Sequence, residues 1–316
     1  MHMALPPTQA RPFGAVLTAM VTPMTLAGEI DLDAAVKVAK HLVDNGNDGI
    51  VLSGTTGESP TTHAPEKAEL VRAVVDAVGD RAHVIAGAGS NDTQHAVRMA
   101  EQAAEAGAHG LLVVSPYYSR PSQEGLYRHI TAVADATPLP VMVYDVPGRA
   151  GVRIAPSTIE RLAAHERIVA NKDASGDVYT AARLIESTGL AWYSGDDSML
   201  LSFLAHGAVG IVSVSAHAVG SRFAQVVAAF DAGDHAGALA AFRTAIPTID
   251  AINGAGFQAV MAKAALQLLG VTENRYLRLP YVAATDDEVA VVRAGLEASG
   301  LLDPATPAAT LNMQNS

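Results

Sequence analysis

Eight short apolar runs, each bounded by glycine or polar residues, alternate along this chain with longer stretches of helical periodicity. That alternation constrains the fold more than any other feature. The runs cover 15–21, 49–53, 83–87, 110–115, 141–145, 168–172, 191–194 and 210–214. Between them, 32–45, 65–78, 93–106, 123–136, 157–164 and 181–187 carry apolar residues at helical spacing, as Leu70, Val74, Val75 and Val78 do. Strands that are apolar throughout belong in a parallel sheet covered on both faces. Right-handed crossovers close eight such units into a barrel. The expected class is therefore α/β, as a (β/α)8 barrel. The rival, a doubly wound open sheet, places a phosphate- or dinucleotide-binding loop after its first strand. Val21-Thr22-Pro23-Met24 has no glycine for such a loop.

A chain of 316 residues suits one domain of this kind. The barrel is expected over 14–230, preceded by an N-terminal extension over 1–13. Segments around 222–231, 235–244, 256–269 and 286–298 read as helices, so a C-terminal helical appendage is expected over 231–302. The Pro-, Thr- and Asn-rich tail, 303–316, is expected to be disordered.

Composition removes several function classes. A formal charge of −11 and only five lysines (Lys37, Lys40, Lys67, Lys172 and Lys263) leave no basic patch for nucleic acid. The absence of cysteine rules out disulfides, zinc–thiolate sites and a thiol nucleophile. The first residues lack the apolar core of a signal peptide, and no apolar run reaches the roughly 20 residues of a membrane span. A soluble cytoplasmic protein, with no membrane partner, is expected.

In a barrel the chemistry sits where the strands end and the βα loops converge. Lys172 ends the apolar run Ile168-Val169-Ala170 and should enter the barrel mouth, whereas Lys37, Lys40 and Lys67 read as solvated helix residues. At an ordinary pKa near 10.4, only about 0.04% of a lysine is neutral at pH 7. Burial lowers that pKa, and a neutral amine attacks a ketone or aldehyde. The bland alternative is a strand-end lysine paired with a carboxylate such as Asp173. Tyr144 ends the neighbouring strand, where its phenol could shuttle protons or simply fill the core. Gly54-Thr55-Thr56-Gly57 could hold a small carboxylate on fixed N–H groups and hydroxyls. It could equally be an ordinary turn, with Ser59 or Thr62 capping the next helix. Arg149 could receive a second carboxylate or be a solvated loop residue. His63, His83, His95, His109 and His129 show no metal-ligand spacing, and Asp196-Asp197 reads more readily as a helix cap than a cation site.

Taken together, Gly54-Thr55-Thr56-Gly57-Glu58, Pro116-Tyr117-Tyr118, Tyr144-Asp145-Val146-Pro147-Gly148-Arg149 and Lys172-Asp173 resemble the dihydrodipicolinate synthase and N-acetylneuraminate lyase superfamily. Their order and spacing match from about residue 14 to 292. The run 115–126 is especially similar to the dihydrodipicolinate synthases. The resemblance implies a TIM barrel and a class I aldolase that works without a cofactor. It implies that Lys172 forms an imine with pyruvate, whose carboxylate rests on Thr55 and Thr56. The enamine then attacks L-aspartate 4-semialdehyde. It further implies a proton relay of Tyr144, Thr56 and Tyr118, the last from a neighbouring subunit. Arg149 would bind the semialdehyde carboxylate, the backbone at Gly195 and Val212 would line the site, and the assembly would be a homotetramer of tight dimers.

Three departures from the family pattern matter. Asn171 stands before the lysine where an apolar residue is commoner, and Ala150 follows Arg149 where a hydroxyl is frequent. In the pocket where sensitive members bind lysine as a feedback inhibitor, Ser59 and Asn91 are retained. Lys67 and His95, however, replace a histidine and a glutamate there, so weak or no inhibition by lysine is expected. Two other functions are weighed against a lysine-biosynthetic synthase: a paralogous pyruvate aldolase or dehydratase acting on sugar acids, and a keto-acid sensor without catalysis.

Overall fold

In the computed structural model, which describes residues 10–254 and 256–305, every strand pairs in parallel with the next. The strands are Val16–Ala19 (β1), Gly49–Leu52 (β2), His83–Gly87 (β3), Gly110–Val114 (β4), Val141–Asp145 (β5), Ile168–Asp173 (β6), Ala191–Ser194 (β7) and Gly210–Ser213 (β8). β8 returns to β1, with Leu17 opposite Val212, and closes the (β/α)8 TIM barrel.

The apolar runs conceal a period of two. Along β5, Val141 and Val143 pack outward against helices, while Met142 and Tyr144 face the barrel interior. Ile50 and Val51 on β2, and Val84 and Ile85 on β3, divide in the same way. Both faces of the sheet are thus apolar, for different reasons: one packs on helices, the other fills the cylinder. Phe13 stoppers the N-terminal end of that cylinder, where Gly110 leaves room for it; a Cβ there would lie 2.6 Å from the ring.

The helices around the sheet are Leu32–Asp44 (α1), Ala64–Val78 (α2), Thr93–Glu105 (α3), Gln123–Asp135 (α4), Pro147–Ala150 (α5), Pro156–Ala163 (α6), Val178–Thr188 (α7) and Leu200–Ala205 (α8). Six follow the expected periodicity. α5 and α8 are too short to show one. Neither Ser59 nor Thr62 caps α2; His63 does, in a capping box with Glu66. Ala216–Asp231 (α9), His235–Asn253 (α10), Gln258–Leu268 (α11) and Asp286–Ala298 (α12) follow β8, and the last three form the C-terminal helical appendage. α9 begins six residues before the expected 222, and α10 continues through Pro247 to Asn253 rather than stopping near 244. Packing on α9 and α12 outweighs the hydrogen bond that the proline removes. The expected tail from 306 onward and the first nine residues lie outside the described residues. Among the described residues, no helix is long and apolar enough to cross a membrane.

Candidate active site

Strand register brings the principal residues together. Tyr144 on β5 is the in-register partner of Lys172 on β6, which in turn pairs with Tyr193 on β7. In a parallel sheet such partners point to the same face, and Tyr144 and Tyr193 both belong to the interior cluster. Lys172 therefore projects inward and is 5% exposed. Its Nζ lies 4.2 Å from the centroid of the Tyr144 ring.

Among the described residues no carboxylate pairs with that amine. Asp173 faces the other way and accepts hydrogen bonds from the Trp192 Nε1–H and the Ser175 N–H. Burial lowers the Lys172 pKa to about 8; the Asp197 charge opposes this and the Arg149 charge assists it. At about 8, roughly a tenth of the amine is neutral at pH 7, against about 0.04% for a free lysine. Burial also pushes the Tyr144 phenol up to about 12, so it starts any proton transfer as the neutral donor.

Asp197 answers to neither expectation for the Asp196-Asp197 pair. Asp196 caps the short turn after β7 by accepting from the Ser198 N–H. Asp197 is buried and accepts from Ser215 N (2.8 Å), Ser215 Oγ (2.7 Å), Asn253 Nδ2 (2.8 Å) and Val214 N (3.3 Å). Among the described residues there is no group of three or more His, Asp or Glu that could hold a metal ion.

Above the strand ends lies a cavity of about 250 Å³, bordered by Thr55, Tyr117, Tyr144, Arg149 and Tyr281 among others. Thr56, Lys172, Gly195 and Val212 are not on its wall; Lys172 meets it through Tyr144. Val212 is fully buried inside the barrel, and the Gly195 amide donates to the Asp173 carbonyl at 2.7 Å. Thr56 is buried, whereas Tyr118 is 91% exposed on a left-handed backbone with φ of 70°. Among the described residues no hydrogen bond joins Tyr144, Thr56 and Tyr118, so within this chain the expected relay is open.

Arg149 is exposed but has company. Its Nη2 donates to Gln258 Oε1 at 3.3 Å, and its guanidinium lies 5.6 Å from the Phe257 ring centroid. Phe257 stacks on Tyr281 at 4.2 Å. Support that Ala150 lacks the hydroxyl to give thus comes from the C-terminal helices. Asn171 lies on the opposite face of β6 from Lys172, 1% exposed, and its amide finds no hydrogen-bond partner among the described residues. It does not touch the amine's surroundings.

Lys67 was expected in solvent and is not there. It is buried, and its ammonium donates to Ser59 O at 3.0 Å and Ser59 Oγ at 3.2 Å beside the Met99 sulfur. Lys263 is buried as well, among the apolar residues of α11. A lysine surrounded by alanine, valine, methionine and leucine on every helical face was the signal for it. No sequence signal marked Phe257, Gln258 or Asn253, because only the fold carries them to the barrel mouth.

A closed parallel barrel with a desolvated amine at a strand end, set against a phenol, defines an enzyme of the class I aldolase type. The chain belongs to the dihydrodipicolinate synthetase family, whose sequence model matches residues 12–299. It is 55% identical over 291 residues to the 4-hydroxy-tetrahydrodipicolinate synthase of Bifidobacterium animalis, covering 92% of this chain and 95% of that one. Among solved structures it is similar to a dihydrodipicolinate synthase from Bacillus anthracis, with TM-score 0.87 and 43% identity over 90% of this chain and 98% of that one. It is also similar to the enzyme from Cyanidioschyzon merolae with lysine bound, with TM-score 0.89 and 39% identity over 93% and 100% of the two chains.

Proposed function

We propose that the chain is a 4-hydroxy-tetrahydrodipicolinate synthase, condensing pyruvate with L-aspartate 4-semialdehyde in lysine and diaminopimelate biosynthesis. The observation that carries this reading is the buried Lys172 amine beside Tyr144, with no carboxylate paired to it among the described residues. The neutral amine adds to the ketone of pyruvate and water leaves, giving an imine. Thr55 and Thr56 hold the pyruvate carboxylate. Loss of a methyl proton gives the enamine, whose carbon attacks the semialdehyde aldehyde. The substrate's own amino group then attacks the imine carbon, closes the ring and expels the lysine. The amine is itself the electrophilic catalyst, so the chemistry calls for no cofactor.

Tyr144 and Thr56 pass protons to the carbinolamine and the enamine, and Tyr118 completes the relay from a neighbouring subunit. The exposure of Tyr118 supports this reading, because a side chain so placed has nothing to act on within its own subunit. The working unit is accordingly a homotetramer built from tight dimers, placed in the cytoplasm. Arg149 receives the semialdehyde carboxylate in the cavity, and the backbone at Gly195 and Val212 shapes the floor around the lysine.

Pyruvate and semialdehyde, assayed beside a panel of 2-keto-3-deoxy sugar acids, test the reading. Condensation of the semialdehyde should far exceed turnover of any sugar acid; equal or greater turnover of a sugar acid would overturn it. Borohydride with pyruvate should add mass at Lys172 alone, whereas a keto-acid sensor would bind without being trapped.

A further inference from the structure

Glu58 follows Gly57 in the turn that bears Thr55 and Thr56, and it adopts φ of 57°, a conformation that favours glycine. It is fully buried. Its carboxylate reaches out of the turn to the C-terminal region: Oε1 accepts from Lys263 Nζ at 2.5 Å, and Oε2 accepts from the Arg278 N–H at 3.0 Å. Lys263 also donates to the Tyr276 carbonyl at 2.7 Å. The Arg278 side chain binds the rest of the loop, donating to the Thr61 carbonyl at 2.8 Å and to both carboxylate oxygens of Glu66.

Stability alone does not account for this arrangement. A buried ion pair is a weak source of stability, because desolvation offsets most of the attraction. A non-glycine residue in the left-handed region adds strain, which persists only where the surroundings impose it and which gathers at functional sites. Together they fix position. What they fix is the turn itself: Thr22 Oγ1 donates to the Gly57 carbonyl at 2.8 Å, and the Glu58 N–H donates to the Thr55 carbonyl at 3.2 Å. A rotation at Glu58 would therefore disturb the Gly57–Glu58 peptide, one residue beyond Thr56, and its bond to the Thr55 carbonyl.

We propose that Glu58 and Lys263 are positioning residues that hold the donors of Thr55 and Thr56 where a 2-keto acid carboxylate arrives. The C-terminal helices thereby set the affinity of the barrel for its first substrate. This rests on the function proposed above and deepens it. The pair touches no substrate and acts through the turn.

The test is a double variant, Glu58→Gln with Lys263→Met, which removes both charges at once and leaves neither uncompensated. Its melting should stay cooperative while the pyruvate KM rises about tenfold or more, with kcat and the semialdehyde KM changed by less than about threefold. Lys263→Arg, which keeps the charge, should bring the pyruvate KM back to within about threefold of the parent. A merely structural role would lower the melting temperature and leave this pattern absent. A folded double variant with the parent's pyruvate KM overturns the proposal. Should the double variant not fold, Arg278→Ala decides. That side chain is partly exposed and ties the far end of the same loop through Thr61 and Glu66, leaving the Arg278 N–H on Glu58 in place; if the C-terminal region positions the turn, the pyruvate KM should rise there too, and an unchanged value overturns the proposal. Borohydride trapping on the parent chain separates the two readings. No adduct at Lys172 defeats the proposed function, whereas an adduct with unaltered KM in the variants defeats only the positioning pair.

Discussion

The Nζ of Lys172 lies 4.2 Å from the centre of the Tyr144 ring, and the two residues are in-register partners on adjacent parallel strands. Two rigid backbones thus set their separation, with no loop between them. Replacing Lys172 by Ala removes the nucleophile and should abolish condensation. Tyr144→Phe keeps the ring against the amine and deletes only the hydroxyl. Turnover should fall by about 10²–10⁴-fold, the usual contribution of a positioned acid–base group. A condensation assay on variants that retain the parent's circular dichroism checks both, and a Phe variant near the parent rate would remove Tyr144 from the relay.

The amine's depressed pKa, about 8, predicts a pH profile. Only the neutral form attacks, so kcat/KM for pyruvate should rise about tenfold per pH unit below 8 and level off above it. Stability carries the same signature with a definite sign. The unfolded lysine titrates near 10.5 and the folded one near 8, so between those values the unfolded chain binds more protons. The lysine's burden on stability is therefore full below pH 8 and relieved as pH rises toward 10.5. Lys172→Met should raise the melting temperature near pH 7, by an amount that shrinks in alkali. A variant no more stable than its parent would mean the amine is not desolvated.

Arg149 makes contact with Gln258 and Phe257 and borders the cavity. Loss of a charged hydrogen-bonding group from a carboxylate weakens binding by about 10–100-fold, so Arg149→Ala should raise the semialdehyde KM by that factor. Imine formation with pyruvate should survive. The guanidinium also lowers the Lys172 pKa, so its removal should move the acidic limb of the pyruvate profile to higher pH. A variant that loses pyruvate trapping instead would reassign Arg149 to the first substrate.

All eight strands and the inward-facing lysine were legible in the sequence, because short apolar runs repeat with helical spacers between them and Lys172 ends one of them. The support of the site was not. Gln258 stands 109 residues beyond Arg149, and its role and that of Asn253 exist only once α10 and α11 fold over the mouth. Lys67 was misplaced because a lysine in an amphipathic helix looks solvated; only the approach of Ser59 and Met99 shows it to be enclosed.

That enclosure bears on regulation. Burial brings the Lys67 ammonium down to about 8 and the Ser59 hydroxyl is already its partner, while Glu66, the nearby acid, is engaged by Arg278. A free lysine arriving at Ser59 would meet a resident cation, with the neighbouring Glu66 already taken by Arg278. L-Lysine should leave the condensation rate unchanged at sub-millimolar concentration. Lys67→His should not impair pyruvate trapping. Inhibition of the parent enzyme in that range would show that the pocket accepts lysine despite Lys67.

His217 joins the loop after β1 to the start of α9: its Nε2 accepts from the Val21 N–H at 3.0 Å, and its Nδ1 donates to the Val214 carbonyl at 2.7 Å. The first bond needs the Nε2 lone pair and therefore the neutral ring; the second survives protonation. Burial lowers its pKa to about 4, the Val214 bond opposing and His41 assisting. An unfolded histidine titrates near 6.5, so as pH falls from there to about 4 the unfolded chain gains a proton that the folded chain refuses. Stability should decline across that window by about 3 kcal/mol on this account alone. Denaturant melts at a series of pH values measure the slope, and His217→Gln, which does not titrate, should flatten it. An equal acid slope in the variant would place the acid sensitivity elsewhere.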